Sequence, residues 1–351
     1  MLRLNNRLQI LHLSWCNICE TKSVKIATVL QSNNHLQELR LSHNNIGSKE
    51  AGEISKSLHL NNSVRILCLR ENNIGAEEAI EIAKMLRLNN HLKELYLCKN
   101  NIGTGVIEIA KSLQLNISLQ KLFLSKNNIN QDGAVEIANL LHLNTHLQSL
   151  CLDHNIIETG AIEIAISLRS NTFLRELFIG SNCIGSNRAI EFAELLCSNE
   201  SLQVLRLSNN HIDIKGVVEI AKSLQSNKSL LKLYLDGNDV GTEGATEIAK
   251  SLFTNTTLRT LHLSCSKMRI NEVIKISESL KSNNSLQKIR FGFNSICKIK
   301  DIIEIANNLE HNYCITSIDI KYFSEKIKEI ITRNKKIRNE NRFIKMKVAG
   351  N

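Results

Sequence analysis

The apolar residues of this chain follow a frame that returns after about 28 residues, a period typical of repeat proteins. The frame is Leu-x-x-Leu-x-Leu-x-x-Asn-x-Ile, and a clear copy starts at Leu36. Two of the intervals between copies are shorter by one residue, and the last interval is longer by one. Self-similarity at a nearly fixed period predicts a repeat architecture. The twelve copies start at Leu8, Leu36, Val64, Leu92, Leu119, Leu147, Leu174, Leu202, Leu230, Leu258, Leu286 and Ile315.

Inside each copy the apolar period changes from two to about 3.6. The alternation in Leu39-Arg40-Leu41 predicts a half-buried strand, and the apolar stripe within residues 53–58 predicts a helix. A shortened copy loses one residue around Gly103–Val106, between strand and helix, where a loop can absorb the loss. Each copy is therefore predicted to be one strand followed by one helix.

Asparagine recurs at two positions of the repeat. One lies three residues before each copy, and we expect it to end the preceding helix in the left-handed conformation. The other is the frame asparagine, which we expect to satisfy backbone groups where the chain leaves the strand. This predicted structural ladder consists of Asn44, Asn72, Asn100, Asn127, Asn155, Asn182, Asn210, Asn238 and Asn294. Cys16, Ser266 and Phe323 replace it in three copies, and Phe323 predicts the end of the array.

The frame, together with its asparagine, resembles the leucine-rich repeat. The length of the repeat, with room for a full helix, is similar to the ribonuclease-inhibitor-like subclass, which includes the repeat regions of NOD-like receptors. This resemblance implies an α/β fold, a right-handed solenoid shaped as a horseshoe, with parallel strands on the concave side and helices on the convex side. Such a stack must bend, because strands pack at ~4.8 Å and helices at ~10 Å.

Stacked repeats share a continuous core, so residues 1–323 are predicted to form one array of twelve repeats. Residues 324–351 are predicted to form a basic capping helix and tail, with Ser324 as the helix cap. Ile327, Ile330 and Ile331 provide the apolar stripe of this helix. Residues 1–6 have the same sequence as residues 85–90, the end of a repeat helix. We therefore expect the N-terminal end to open inside a repeat, with upstream repeats missing from this sequence.

The formal net charge of +10 belongs mainly to the tail. Residues 321–351 hold ten Lys and Arg against three Glu, so the rest of the chain carries only about +3. No aromatic or glycine pattern of an RNA-binding module accompanies the basic tail, so a nucleic-acid partner is not expected. No apolar run approaches the ~20 residues that span a bilayer, so no membrane span is expected.

The ten cysteines are scattered, and the single Cys16-x-x-Cys19 has no second pair to complete a metal site. Free thiols without a signal peptide favour a cytoplasmic location. His43 and His154 lack an evident carboxylate partner, and no catalytic triad signature or phosphate-binding loop occurs. The sequence therefore predicts a protein that is not an enzyme, with no cofactor, no metal and no small-molecule substrate.

Aromatic residues concentrate at one outward strand position, between the second and third frame leucines. Arginine takes the same position in three other copies, and Trp15 lies at the adjacent outward position, as Phe293 and Tyr322 do in theirs. Aromatic side chains anchor interfaces because they bury a large area at low entropic cost. The alternative explanation is that strands favour aromatic residues in any case. The candidate partner-binding residues are Tyr96, Phe123, Phe178, Tyr234, Arg40, Arg206 and Trp15.

Three functions are compatible with the resemblance. The favoured one is a non-enzymatic scaffold that binds a protein partner of unknown identity on its concave face, as NOD-like receptors or intracellular effectors do. The first alternative is a GTPase-activating protein of the Ran-activator type, a family with an acidic tail where this tail is basic. The second is a ribonuclease inhibitor, a family whose acidic charge suits capture of a basic enzyme. The charge of this chain favours the scaffold.

Overall fold

The computed structural model describes residues 5, 7–294, 299–320 and 324–349. The expectations for residues 1–4 and 6, and those for Tyr322 and Phe323, concern positions outside this part. The chain divides into two compact units, unit one from Met1 to Cys183 and unit two from Ile184 to Asn351. Strands and helices alternate throughout both units.

Unit one contains seven strands and six helices within its described residues. The strands are β1 (Ile10–His12), β2 (Glu38–Arg40), β3 (Ile66–Cys68), β4 (Glu94–Tyr96), β5 (Lys121–Phe123), β6 (Ser149–Cys151) and β7 (Glu176–Phe178). The helices are α1 (Glu20–Ser32), α2 (Ser48–His59), α3 (Ala76–Leu88), α4 (Val106–Leu113), α5 (Gln131–Leu143) and α6 (Gly160–Ser170). A 3-10 turn at Gly103–Gly105 lies where the shortened repeat loses its residue.

Unit two contains five strands and six helices within its described residues. The strands are β8 (Val204–Arg206), β9 (Lys232–Tyr234), β10 (Thr260–His262), β11 (Lys288–Arg290) and β12 (Ser317–Asp319). The helices are α7 (Gly185–Ser198), α8 (Ile214–Ser226), α9 (Gly241–Thr254), α10 (Ile270–Ser279), α11 (Ile299–Leu309) and α12 (Glu325–Ala349).

Successive strands within each unit pair in parallel, and their register follows the repeat. Leu39 pairs with Leu67 in unit one, and Leu233 pairs with Leu261 in unit two. Each pairing thus joins equivalent residues of neighbouring repeats. Since every pair of parallel strands is connected through a helix, the predicted α/β solenoid is confirmed.

The core of each unit lies between its strands and its helices. In the second repeat the strand side contributes Leu39, Leu41 and Ile46 to the core and α2 contributes Ile54 and Leu58, and all five are almost completely buried. The same positions are apolar in the neighbouring repeats, so each repeat covers the open side of the next. Burial of apolar surface between repeats is therefore the main stabilising term of the fold.

The frame asparagines bind the backbone of their own strand and of the preceding one. Each of the nine donates from Nδ2 to the carbonyl oxygen three residues earlier. In Asn155 this bond, to Leu152, is 2.8 Å long, and a second one reaches the carbonyl of Leu124 at 3.1 Å. The Asn155 Oδ1 accepts from the backbone N–H groups of Asn127 and Ile129 at 2.9 and 3.1 Å.

The asparagine that precedes each copy behaves differently from the prediction. Where it caps a helix it is extended, as in Asn89 with φ −80° and ψ 115°, so the expected left-handed conformation was wrong. Its side chain explains the difference. The Asn89 Nδ2 donates to Leu58 and Asn61 carbonyls of the preceding repeat at 2.7 and 3.1 Å, while its Oδ1 accepts from Leu92 N–H at 2.8 Å. These asparagines form a second ladder, and the left-handed residues, such as His43, follow the strands instead.

The last helix, α12, packs on α11 at the end of unit two. Its Ile327, Ile330 and Ile331 are buried. Asn334 of this helix is completely buried and donates to the carbonyls of Asn312 and Ile315 at 2.9 and 2.8 Å. The bond from Asn334 to the Asn312 carbonyl thus replaces the bond that the second-ladder asparagine of a further repeat would donate. Among the helices of the described residues, none is both long enough and apolar enough to cross a bilayer.

Candidate functional site

The first and third residues of every strand lie on the side of the strands away from the helices, and we call this surface the strand face. In the predominant burial pattern the middle residue is buried and its two neighbours are at least partly exposed, as in Glu94-Leu95-Tyr96. This follows from the period of two, which sends alternate side chains to opposite sides of a strand. Six of the seven predicted partner-binding residues, all except Trp15, are third residues of their strands.

Two of the predicted aromatic residues contact each other on the strand face of unit one. The rings of Tyr96 and Phe123 stack with centroids 4.5 Å apart and an interplanar angle of 4°. Both side chains are partly exposed. Because β4 and β5 pair in register, the two rings lie directly side by side. The pair therefore forms a flat apolar surface open to the strand face.

A carboxylate holds one end of this aromatic pair. The hydroxyl of Tyr96 donates to Glu94 at 2.6 Å, and Lys121 Nζ lies 2.8 Å from the same carboxylate. Burial by itself raises the pKa of Glu94, but the hydrogen bonds from Lys121 and Tyr96 outweigh it and leave that pKa below its ordinary value. Burial, together with the hydrogen bond to Glu94, raises the pKa of Tyr96. The phenol therefore stays protonated and its ring is fixed in orientation.

The column of third residues continues from the aromatic pair through β6 and β7. Phe123 pairs in register with Cys151, which pairs with Phe178. Phe178 is partly exposed, whereas Cys151 is buried with its sulfur 2.9 Å from the Ser125 hydroxyl. Burial raises the pKa of the Cys151 thiol to about 12, and the Asp153 carboxylate adds to the shift. This thiol is therefore a neutral packing group between two aromatic positions.

Arg40, in the same column at β2, lies in a polar cluster. Its guanidinium and the imidazole of His12 both contact the carboxylate of Glu38. The hydrogen bond from Arg40 is the main reason that the pKa of Glu38 falls below its ordinary value, and His12 adds to it. The guanidinium of Arg40 is therefore held in position by a carboxylate of its own strand.

Trp15 lies in the loop after β1, in the left-handed conformation with φ 62°. Its side chain is 75% exposed, and its ring stacks on His43 at 3.8 Å between centroids. His43 Nδ1 lies 3.3 Å from Glu71, so the expectation that His43 has no carboxylate partner was wrong. Trp15 and His43 occupy equivalent loops of adjacent repeats, and only stacking of the repeats brings them together.

Arg206 and Tyr234 lie side by side on the strand face of unit two. The Arg206 Cζ is 5.1 Å from the centroid of the Tyr234 ring, a cation–π distance. The Tyr234 ring also meets His262 edge to face, with centroids 4.5 Å apart. His262 Nδ1 is in turn 3.6 Å from Asp236. Each unit thus has its own cluster of predicted residues.

The acidic residues that hold these clusters were not predicted. Glu38 and Glu94 are the first residues of their strands, two positions before Arg40 and Tyr96. The period of two already places such pairs on the same face, so this signal was present in the sequence. No group of three or more side chains able to hold a metal ion occurs among the described residues.

We expect Asp236→Asn to lower the free energy of unfolding at pH 7 by about 1 kcal/mol. Hydrogen bonds to a charged group each contribute about 1.5–3 kcal/mol, and the neutral amide of Asn keeps part of this stabilisation. Asp236 accepts from the Ser264 N–H at 2.9 Å. Burial alone would raise its pKa, but the hydrogen bonds from His262 and Ser264 outweigh it and lower the pKa. A lowered pKa gives stability that is present above the unfolded value of 3.8 and lost as the pH falls through the folded value.

Urea unfolding at several pH values measures this effect. The difference between the wild type and Asp236→Asn should disappear as the pH falls below about 4. Asp239→Asn is the control, because its ion pair with Lys267 at 2.8 Å is exposed and should contribute less. A difference that persists unchanged at acidic pH would contradict the role of the Asp236 charge.

One family model matches four segments of the chain. The family model described as Leucine Rich repeat matches residues 32–49, 115–138, 198–221 and 226–249. Comparison with the curated proteins gives no match.

Several solved structures match this chain. The crystal structure of the Rad7 and Elc1 complex in yeast matches with a TM-score of 0.58 at 17% identity, over 91% of this chain and 78% of that chain. An internalin from Listeria monocytogenes matches with a TM-score of 0.47 at 18% identity, over 90% of this chain and 88% of that chain. The tropomodulin C-terminal domain of Caenorhabditis elegans matches with a TM-score of 0.35 at 16% identity, over 52% of this chain and 98% of that chain. Of these three, the Rad7 and Elc1 structure supports the fold. Together with the four matched segments, it shows that the chain contains leucine-rich repeats and folds as an α/β solenoid.

Proposed function

We propose that this chain is a non-enzymatic scaffold that binds a protein partner on its strand face, with the Tyr96–Phe123 pair as the main anchor. Proteins with leucine-rich repeats generally serve as protein-interaction scaffolds. The observation that carries the proposal for this chain is the stacked, partly exposed aromatic pair whose orientation is fixed by Glu94.

The geometry of the pair suits an interface anchor. Aromatic side chains dominate interface energetics, and the best anchors lie in well-packed surroundings. A side chain that is already ordered loses little rotamer entropy on binding, which otherwise costs about 0.5–1.5 kcal/mol per side chain. Tyr96 and Phe123 are held by stacking and by one hydrogen bond before any partner arrives.

The surrounding charges favour a protein partner over a nucleic acid. The carboxylates of Glu38 and Glu94 lie on the same face as the aromatic pair, and each is matched by a cation, Arg40 or Lys121. A face with balanced charges lacks the basic excess that attracts a phosphate backbone. Polar groups around an apolar centre are the usual arrangement of a protein–protein interface.

The finer parts of the proposal rest on resemblance. The length of the repeat, with its full helix, supports the ribonuclease-inhibitor-like subclass, and hence a scaffold of the NOD-like-receptor or intracellular-effector type. We propose a cytoplasmic location, supported by the cysteines of the described part, which are free and scattered among the repeats.

Photo-crosslinking followed by affinity measurement tests the strand face. A photoreactive phenylalanine at Lys126, three residues after Phe123, should capture the partner, whereas the same group at Phe253 on α9 should not. With the identified partner, Tyr96→Ala/Phe123→Ala should weaken binding at least tenfold, since anchors of this kind contribute about 2 kcal/mol or more.

The control for this measurement is Phe253→Ala, an exposed aromatic residue outside the strand face. It should bind within about twofold of the wild type. Circular dichroism should show that both variants keep the wild-type fold, because all three side chains are at least partly exposed. Crosslinking from Phe253 alone, or equal affinity of the double variant, would exclude the strand face as the site.

A further inference from the structure

Four successive repeats of unit one expose a leucine at the same position, directly before the asparagine of the second ladder. We call Leu60, Leu88, Leu115 and Leu143 the leucine row, and their exposed fractions are 75, 53, 79 and 56%. The row lies at the carboxyl ends of the helices, apart from the strand face. Large apolar side chains exposed in a series of this kind are not explained by packing of the repeats.

The repeat fold does not require leucine at this position. The repeats on either side of the row, within unit one, have Ser32 and Ser170 there. The core leucines of the row repeats lie two residues earlier, as Leu58 and Leu86 do, and these are almost completely buried. Exposed leucine thus replaces a small polar residue in four consecutive repeats without contributing to the core.

The second ladder holds the four leucines in register. Asn89 donates to the Asn61 carbonyl at 3.1 Å, Asn116 to the Asn89 carbonyl at 3.1 Å, and Asn144 to the Asn116 carbonyl at 3.0 Å. Each of these four asparagines directly follows a leucine of the row, so neighbouring leucines are one hydrogen-bonded step apart. Each of the four leucines is more than half exposed, and exposed apolar patches larger than a few hundred Å² usually mark interaction sites.

Two grooves beside the row carry an excess of positive charge. The groove between α2 and α3 has a volume of about 350 Å³ and includes Leu88, Lys56, Lys84 and Arg87 in its lining, with Glu81 as its acidic residue. The groove between α3 and α4, of about 230 Å³, shares two of these cations. The residues lining the latter groove are Ile80, Ala83, Lys84, Arg87, Glu108, Lys111 and Ser112.

Arg87 is the cation best placed to contact a partner. Lys84 is paired with Glu81 at 2.7 Å, and Lys111 with Glu108 at 3.0 Å. Arg87 makes no ion pair among the described residues and is exposed next to Leu88. A carboxylate of a partner would therefore find an unmatched guanidinium beside the leucine row.

We propose that the leucine row binds an acidic amphipathic helix of a partner protein. The apolar side of such a helix would cover the four leucines, and a carboxylate on its flank would pair with Arg87. Three steps of ~5–10 Å between repeats give the row a length of ~15–30 Å, which matches a helix of ~10–20 residues. An anionic membrane suits the surface less well, because stable electrostatic anchoring uses clusters of about 4–8 Lys and Arg, and the lysines here are paired with Glu.

Fluorescence anisotropy with synthetic peptides tests this proposal. The probe is a labelled amphipathic helix of ~20 residues with leucines on one side and glutamates on the flanks. Two matched peptides replace the glutamates by lysines or the leucines by serines. The wild-type chain should bind the acidic peptide at least tenfold more tightly than either matched peptide, and binding should weaken with added salt.

The matching protein variant is Leu60→Ser/Leu88→Ser/Leu115→Ser/Leu143→Ser, which installs the residue of the flanking repeats. It should fold as the wild type does and bind the acidic peptide at least tenfold more weakly. Arg87→Gln should lose part of the affinity and most of the preference for the acidic peptide. Tyr96→Ala/Phe123→Ala should bind the peptide unchanged, which separates this surface from the proposed strand-face site.

Several outcomes would overturn the proposal. One is the absence of measurable peptide binding by the wild-type chain, and another is equal binding by the serine variant. Flotation with phosphatidylserine vesicles, lost in the serine variant while no peptide binds, would assign the row to a membrane surface. A dimer in analytical ultracentrifugation that the serine variant abolishes, again without peptide binding, would assign it to a second copy of this chain.

Discussion

Replacing Asn155 by alanine is expected to lower the free energy of unfolding by about 3 kcal/mol, because each buried N–H left unpaired costs about 1–3 kcal/mol. The two backbone N–H groups that Asn155 accepts from, in Asn127 and Ile129, are completely buried. The carbonyls to which Asn155 donates each have a second donor. Leu124 also accepts from Asn127 at 3.0 Å, and Leu152 from Asn182 at 3.0 Å. Asn155→Ala therefore leaves mainly the two N–H groups without a hydrogen-bond partner.

Urea unfolding followed by circular dichroism measures this change in stability. Asn139→Ala is the matched control, since Asn139 is exposed on α5 and its side chain bonds only Glu136 at 3.3 Å among the described residues. Alanine also has the higher helix propensity, so the control should be neutral or slightly stabilising. Equal stability of Asn155→Ala and the wild type would mean that the ladder is not a stabilising element.

Adding a single methyl group at Gly105 is expected to destabilise the chain by about 2 kcal/mol, the usual cost of overpacking. A Cβ at this position would lie 2.7 Å from the Ala79 Cβ and 2.8 Å from both the Cα and the carbonyl oxygen of Ala76. Two of these three atoms are backbone of α3, so the helices themselves must move apart. Gly105 has φ −61°, which any residue adopts, and the cost is therefore one of space alone.

The same substitution at Gly52 should have the opposite sign. Gly52 lies inside α2, and the nearest atom to a Cβ there is the Glu81 Cγ at 4.0 Å. Gly52→Ala should stabilise the chain by about 0.5–1 kcal/mol, because alanine loses less backbone entropy in a helix. Thermal and urea unfolding of the two variants side by side check the prediction. If both variants or neither were less stable than the wild type, the short distances around Gly105 would not explain the effect of the added methyl group.

The regularity of the repeat explains why so much of the fold was predictable. The frame around Leu36 shows the strand by its alternation and the helix by its longer apolar period, and both signals lie within a single repeat. The outward column containing Tyr96 and Phe123 follows from the same alternation. No long-range information was needed to place these residues on one face.

The prediction failed where a side chain interacts with the neighbouring repeat. The asparagine before each copy was expected to be left-handed from its position at a helix end, a local argument. In Asn89 an extended backbone instead lets the side chain reach the carbonyls of Leu58 and Asn61. His43 likewise looked unpartnered because Glu71, its partner, belongs to the next repeat.

The sequence alone determined the repeat unit, the order of strand and helix within it, and the residues that line its core, because these depend on local periodicity. The tertiary structure decided which of the outward residues meet. Stacking brings Tyr96 onto Phe123 and Arg206 onto Tyr234, and in each pair the two residues come from neighbouring repeats. The tertiary structure also shows that the leucines of the leucine row are exposed. Leu58 and Leu86, each two residues before a leucine of the row, are buried. The physical reason is that burial and contact are set by the packing of each repeat on the next, which no single repeat contains.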